Sequence, residues 1–259
     1  MPPHVRYEVA GQVATVTLDR PEKLNAMDRQ MFGELEAAAA RAGDDGAVRA
    51  VVVTGAGRAF SSGLDVAEFA AMADPAAAER VVADVQRAIS AFELLPKPVV
   101  AAVNGLAFGG GLQLAIACDL RLASDRAELA SMEMRWAIVP DMGGTERLPR
   151  LVGLGRAKEL IFTGRPVGAD EALRIGLVNR VVPAHDLATE AAELAGGLAA
   201  GPTLALGLAK QALNQAFERS TAEGMEAARR AQRRTFASAD HAEAKAAFAE
   251  RRPPRFGGR

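Results

Sequence analysis

Two glycine-containing turns carry the first candidate chemistry. One, "GRAFSSGLD", follows the apolar run "AVVVTG", and the other, "NGLAFGGGLQL", follows "PVVAAV". Each places backbone N–H groups at or near a helix start, where unpaired donors and the helix dipole favour negative charge. Two such turns on neighbouring strands can aim two donors at one oxygen. That is the geometry of an oxyanion hole, and it requires backbone donors with little side chain in the way. The same glycines also suit a plainer purpose, close packing of a helix on a strand, and the pattern alone leaves both readings open. The first polar residue beyond Gly109–Gly111 is Gln113, an amide rather than an acid.

Other chemistries lack their residues. "VVVTGAGRAF" offers Gly55 and Gly57 after a strand, but Phe60 stands where a dinucleotide fingerprint needs its third glycine. His4, His185 and His241 are scattered, with no Cys/His cluster, so no metal site is expected. There is no G-x-S-x-G elbow and no phosphate-binding G-x-x-x-x-G-K-[ST] loop. Cys118 lies in an apolar run and reads as a buried small hydrophobe. As the single cysteine it permits no intrachain disulfide, which fits a reducing cytoplasm. A net charge of −1 gives no general pull toward nucleic acid or an anionic membrane. The start, "MPPHVRYEVAGQ", has no apolar signal region, and no apolar run reaches the length of a membrane span.

The elements that must position these turns are legible in outline. "RYEVAGQVATVTLDRP" alternates around Gly11-Gln12 and predicts a hairpin. "DRQMFGELEAAAARAGDD" predicts a helix capped by Asp28 and stopped near Gly43. "VRAVVVTG" and "PVVAAV" predict buried strands. "DPAAAERVVADVQRAISAFELLPKP" predicts a long helix with Asp74 and Pro75 at its start. "GGLQLAIACD" reads as a helix and "DLRLASDRAELAS" as two short strands around a turn. Helices gather after about Glu146, and Gly201-Pro202 marks a boundary before three further helical patterns. With 259 residues of ordinary globular composition, this predicts an α/β core followed by a helical extension.

Several motifs, taken in order, resemble the crotonase (enoyl-CoA hydratase/isomerase) family. They are "RPEKLNAM", "RAFSSGLD", "KPVVAAVNGLAFGGGLQLAIACDLRLAS", "VPDMGGTERLPRLVG", "GADEALRIGLVNRVV" and "FASADHAEAKAAFAERRPPRF", together spanning nearly the whole chain. The resemblance implies a spiral of repeated ββα units over residues 1–200. Residues 201–259 would form a helical trimerisation region, giving a homotrimer or a dimer of trimers. It implies an acyl-CoA thioester substrate, with no metal or redox cofactor. The oxyanion donors would be the N–H groups of Leu64 and Gly110. Ser62 and Leu64 would line the CoA path, Lys23 would help from the early motif, and Phe248 and Arg251 would reach a neighbouring subunit's CoA.

Proton transfer is where the chain departs from the family's hydratases, which use two glutamates. The second matches Glu133, but the first falls at Gln113, and an amide cannot accept the proton of a water. One carboxylate suffices for shifting a double bond, so the residues favour an isomerase. In that reading Glu133 is acid and base in a pocket with Met132, Met134 and Trp136 nearby. A slower hydratase, with Gln113 orienting water, is the rival, and a non-catalytic acyl-CoA binder is a third reading. Asp141 is a second candidate acid, as in dienoyl-CoA isomerases, or else a turn residue before Gly143-Gly144. Ala67 stands where relatives often carry a CoA-contacting lysine. Arg229, Arg230, Arg233 and Arg234 share a helix and suit either a solvated face or attraction of CoA phosphates.

Overall fold

The computed structural model describes residues 2–68 and 75–259. Asp74, expected at the start of the long helix, lies outside them. The hairpin forms from β1 (Val5–Ala10) and β2 (Val13–Leu18), paired antiparallel through Val5↔Leu18. Helix α1 (Arg29–Asp44) follows, and the Asp28 carboxylate accepts from the Met31 N–H at 2.9 Å. It runs through Gly43 and buries Met31, Phe32, Leu35, Ala38, Ala39 and Ala42, one stripe at helical spacing.

The remaining core strands come in couples. β3 (Ala50–Gly55), β5 (Val99–Val103) and β7 (Leu120–Ser124) join β2 in a parallel array, extended by β10 (Arg180–Val182), to make a six-stranded sheet. After each of the three, the chain crosses to a second, four-stranded sheet. There β4 (Ala59–Ser61), β6 (Leu106–Phe108) and β8 (Glu128–Ala130) run parallel, and β9 (Val167–Gly168) closes the edge antiparallel to β8. Helices α2 (Pro75–Leu94) and α3 (Gly110–Ala117) return the chain to the large sheet. This is a spiral of ββα turns. "DLRLASDRAELAS" does form two strands, but they belong to different sheets.

Period-two alternation divides the large sheet between two apolar layers. Val51, Val53, Val99, Ala101 and Val103 face the main core with α1, α2 and α3. Ala50, Val52, Val100 and Ala102 face α7 (Leu187–Ala199), which buries Leu187, Ala191, Ala195 and Ala199 against them. Strands covered on both faces are uniformly apolar, as "VVAAV" is.

From Gly144 onward helices dominate: α4 (Gly144–Val152), α5 (Leu154–Thr163), α6 (Ala169–Arg174), α7, α8 (Thr203–Asn214), α9 (Thr221–Phe236) and α10 (Ala239–Glu250). Helix α8 and the tail after α10 are tied to the core by buried polar groups. Lys210 Nζ donates to Phe92 O at 2.8 Å, Lys97 O at 3.2 Å and Asp119 Oδ2 at 2.8 Å. The Arg49 guanidinium reaches Thr203 Oγ1 and the carbonyls of Phe256 and Gly201. No single helix among the described residues is long and apolar enough to cross a membrane.

Cys118 is fully buried, and burial, reinforced by Asp119, pushes its thiol up to about 12. It should stay unmodified by a disulfide reagent at neutral pH, and one thiol per chain should react after unfolding in guanidinium. A second test concerns packing. A Cβ on Gly111 would lie 2.3 Å from the Ser61 carbonyl oxygen, so α3 can sit against the end of β4 only without a side chain there. Gly111→Ala should cost about 1–3 kcal/mol of overpacking, read as a lower urea midpoint.

Candidate active site

Three loops leave the carboxyl ends of the neighbouring parallel strands β4, β6 and β8, and each brings one functional group to the same place. Ser62, Gly63 and Leu64 follow β4; Gly109 and Gly110 follow β6; Ser131 and Glu133 follow β8. The ends of parallel strands are where an open α/β sheet offers a crevice for ligands.

The first two loops touch. Gly63 has φ +102°, and a Cβ on it would meet the Phe108 carbonyl oxygen at 2.8 Å and the Gly110 nitrogen at 3.2 Å. Leu64 pairs with Met27 as an isolated parallel bridge, using the Met27 N–H to Gly63 O bond and the Asp65 N–H to Met27 O bond. That pairing leaves the Leu64 N–H out. Gly110 opens α3, so its N–H is one of the donors a helix leaves unpaired. Both residues line a cavity of about 1040 Å³, shared with Lys23, Ser62, Gln113, Glu133 and Asp141. Val82, Val85, Met132, Trp136 and Ile138 supply apolar walls. Met134 packs against the core instead.

Glu133 opens a 3₁₀ turn, Glu133–Trp136, and is 5% exposed. Both of its oxygens are held. Gln113 Nε2 donates to Oε1 at 2.7 Å, and Ser131 Oγ donates to Oε2 at 2.6 Å. The Gln113 amide is oriented in turn, because its Oε1 accepts the Gly144 N–H at 2.9 Å. Among the described residues this buried carboxylate is held by two neutral donors and engages no salt bridge. Asp141 lines the same cavity. Burial pushes its carboxyl above the usual carboxylate range, opposed only by its own amide. Its side chain does not cap α4, and its carbonyl accepts from Gln86 Nε2 at 2.7 Å.

The early motif acts on the site through a polar cluster. Arg20 bonds Asp65 and Asp28, each at 3.1 Å, and Lys23 Nζ bonds Asp65 Oδ2 at 3.1 Å. Asn25 takes the Arg20 N–H on Oδ1 and donates Nδ2 to the carbonyls of Ala56 and Ala59. Ser62 Oγ makes a long 3.4 Å bond to Lys23 O. "RPEKLNAM" thus clamps the loop that carries Leu64. Phe248 and Arg251 do not line the cavity of the protomer; Phe248 is 87% exposed and Arg251 ends α10. Arg229 and Arg230 pair with Glu226 on their own helix.

Residue patterns overlooked Ser131 and the Gly144 amide. The available signal for Ser131 was its place two residues before the acid, which has no meaning until the turn is built.

Residues 8–259 match the enoyl-CoA hydratase/isomerase family. The chain belongs to the enoyl-CoA hydratase/isomerase, or crotonase, family. It is 39% identical to the short-chain-enoyl-CoA hydratase of Clostridium acetobutylicum, covering 96% of this chain and 95% of that one. It is 38% identical to the crotonyl-CoA hydratase of Syntrophomonas wolfei, covering 98% and 97%. The crystal structure of enoyl-CoA hydratase from Bacillus anthracis superposes with a TM-score of 0.94 at 36% identity, covering 99% of this chain and 100% of that one. The chain is therefore an enzyme of this family, acting on acyl-CoA thioesters, with the crotonase fold.

In this crotonase the Asp65 cluster is open to a pH test. Burial pushes the Asp65 carboxyl up, but the Ala67 amide, Lys23 and Arg20 outweigh it and hold it below the usual range. The folded state then binds this proton less tightly than the unfolded chain. The resulting stability is present above the ordinary aspartate range and is lost as pH falls through the folded value. Asp65→Asn should lower the urea midpoint at pH 7, and the gap to wild type should narrow below about pH 4.

Proposed function

We propose that this enzyme shifts the C=C of an enoyl-CoA, with Glu133 carrying the proton. The reading rests on the 2.7 Å bond from Gln113 Nε2 to Glu133 Oε1. Where a pair of glutamates would divide water activation and proton delivery, this site sets a neutral amide, Gln113, against Glu133.

Glu133 takes a proton from C2 of a 3-enoyl thioester, and the C2–H electron pair delocalises onto the thioester oxygen. The Leu64 and Gly110 N–H groups stabilise that oxyanion, each donor worth about 10²–10³ in rate. Glu133 then returns the proton to C4, where the old 3,4 π pair forms the new C–H bond, while the thioester carbonyl re-forms and the former C2–H pair settles as the 2,3 double bond. Asp141, its carboxyl pushed up by burial, is the second proton donor for a longer conjugated substrate. The thioester and the hole make the C2 proton removable without a further cofactor. Ser62 and Lys23 line the CoA path. In a homotrimer or dimer of trimers, Phe248 and Arg251 of a neighbouring copy complete it. Helix α9, with no buried residue in the protomer, supports such an assembly.

Hydration is the second reading, favoured by the names of the relatives; there Gln113 orients the water that Glu133 activates. Incubation with a 3-enoyl-CoA and, separately, a trans-2-enoyl-CoA tests both by product mass and absorbance. The expected outcome is fast conversion of the 3-enoyl substrate with slow water addition, and a loss of about 10²–10⁴ in Glu133→Gln. Rapid hydration with no double-bond shift overturns the isomerase reading.

A further inference from the structure

Ser131 takes no part in the proton transfer just described, yet its side chain touches the group that does. Its hydroxyl is buried and donates to Glu133 Oε2 at 2.6 Å, and among the described residues that is its one hydrogen bond. We propose that Ser131 is the positioning residue for Glu133, the element that turns a flexible carboxylate into an aimed base. The inference rests on Glu133 being that base.

A glutamate held by one donor pivots about the held oxygen. Gln113 fixes Oε1 and Ser131 fixes Oε2, and two donors on two oxygens set the plane of the carboxylate. The second donor must therefore be rigid itself. Ser131 directly follows β8, whose register is set by Phe108↔Ala130 and by the Gly109 N–H to Ala130 O bond at 2.8 Å. On its other side the chain packs tightly: a Cβ on Gly164, at φ +56°, would lie 3.1 Å from Ser131 O. The strand pair that delivers the Gly110 donor thus also delivers the hydroxyl that orients the base. A serine kept for the fold would bond main-chain groups, as Ser61 does with the Asn25 carbonyl. Among the described residues the Ser131 side chain bonds Glu133 alone.

The test compares S131A, S131T and E133Q in the enoyl-CoA assay, with melting temperature and calorimetric binding of a saturated acyl-CoA measured for each. S131A should lose about tenfold or more in kcat, the scale of one hydrogen bond to a charged group, with KM, ligand binding and Tm nearly unchanged. S131T keeps the hydroxyl and should recover most of the rate. An unchanged kcat in S131A overturns the proposal. So does a fall in kcat that tracks Tm or KM and is not relieved in S131T. Full activity in E133Q would remove the Glu133 base itself. Loss of activity in E133Q beside an unaffected S131A would remove Ser131 alone.

Discussion

The parallel register of three strands of three residues each holds the site together. β4, β6 and β8 pair through Ala59↔Leu106, Ser61↔Ala107 and Phe108↔Ala130, with a register shift inside β4, so their carboxyl ends lie within about one residue of each other. Each strand then has two or three residues in which to present one group: an N–H at Leu64, an N–H at Gly110, a carboxylate at Glu133. Loops so short have little conformational freedom, so strand spacing becomes site geometry. The demand falls on the backbone. Gly63 must pass the Phe108 carbonyl and Gly111 must pass the Ser61 carbonyl, and a Cβ at either place would overlap the neighbouring strand end.

Glu133 is set in a polar relay rather than in an ion pair. The Gly144 amide orients Gln113, Gln113 and Ser131 hold Glu133, and every link is buried. Hydrogen bonds in such surroundings are strong, and leaving one unmade is costly, so the relay has one arrangement. Because Gly144 begins α4, the orientation of the Gln113 amide depends on where the "VPDMGG" turn places that helix. Arg147 helps hold the turn by donating to Met142 O at 2.8 Å while pairing with Glu93 on α2. The walls of the cavity and Glu133 are thus mechanically one unit.

Fold and family were legible because they rest on local signals. Asp28 caps α1, the hairpin turns at Gly11, the valine runs form the strands between two apolar layers, and ordered motifs along the chain carried the crotonase resemblance. The small sheet was not legible. β4 and β6 are too short to show a period of two, and they lie between glycines and serines that read as loop. For the same reason "DLRLASDRAELAS" gave no sign that its two strands enter different sheets.

The sequence by itself determined which groups are available for chemistry: glycine-cleared amides, one acid at Glu133, an amide at Gln113 and a second acid at Asp141. Those are properties of residue type, and no folding changes them. Only the tertiary structure decided their relations. Gln113 and Glu133 are twenty residues apart in sequence and 2.7 Å apart in space. Ser131 gained its contact because a 3₁₀ turn folds Glu133 back over it. Hydrogen bonds act over about 3 Å, a distance set by strand register and helix placement, which a linear order of residues does not contain.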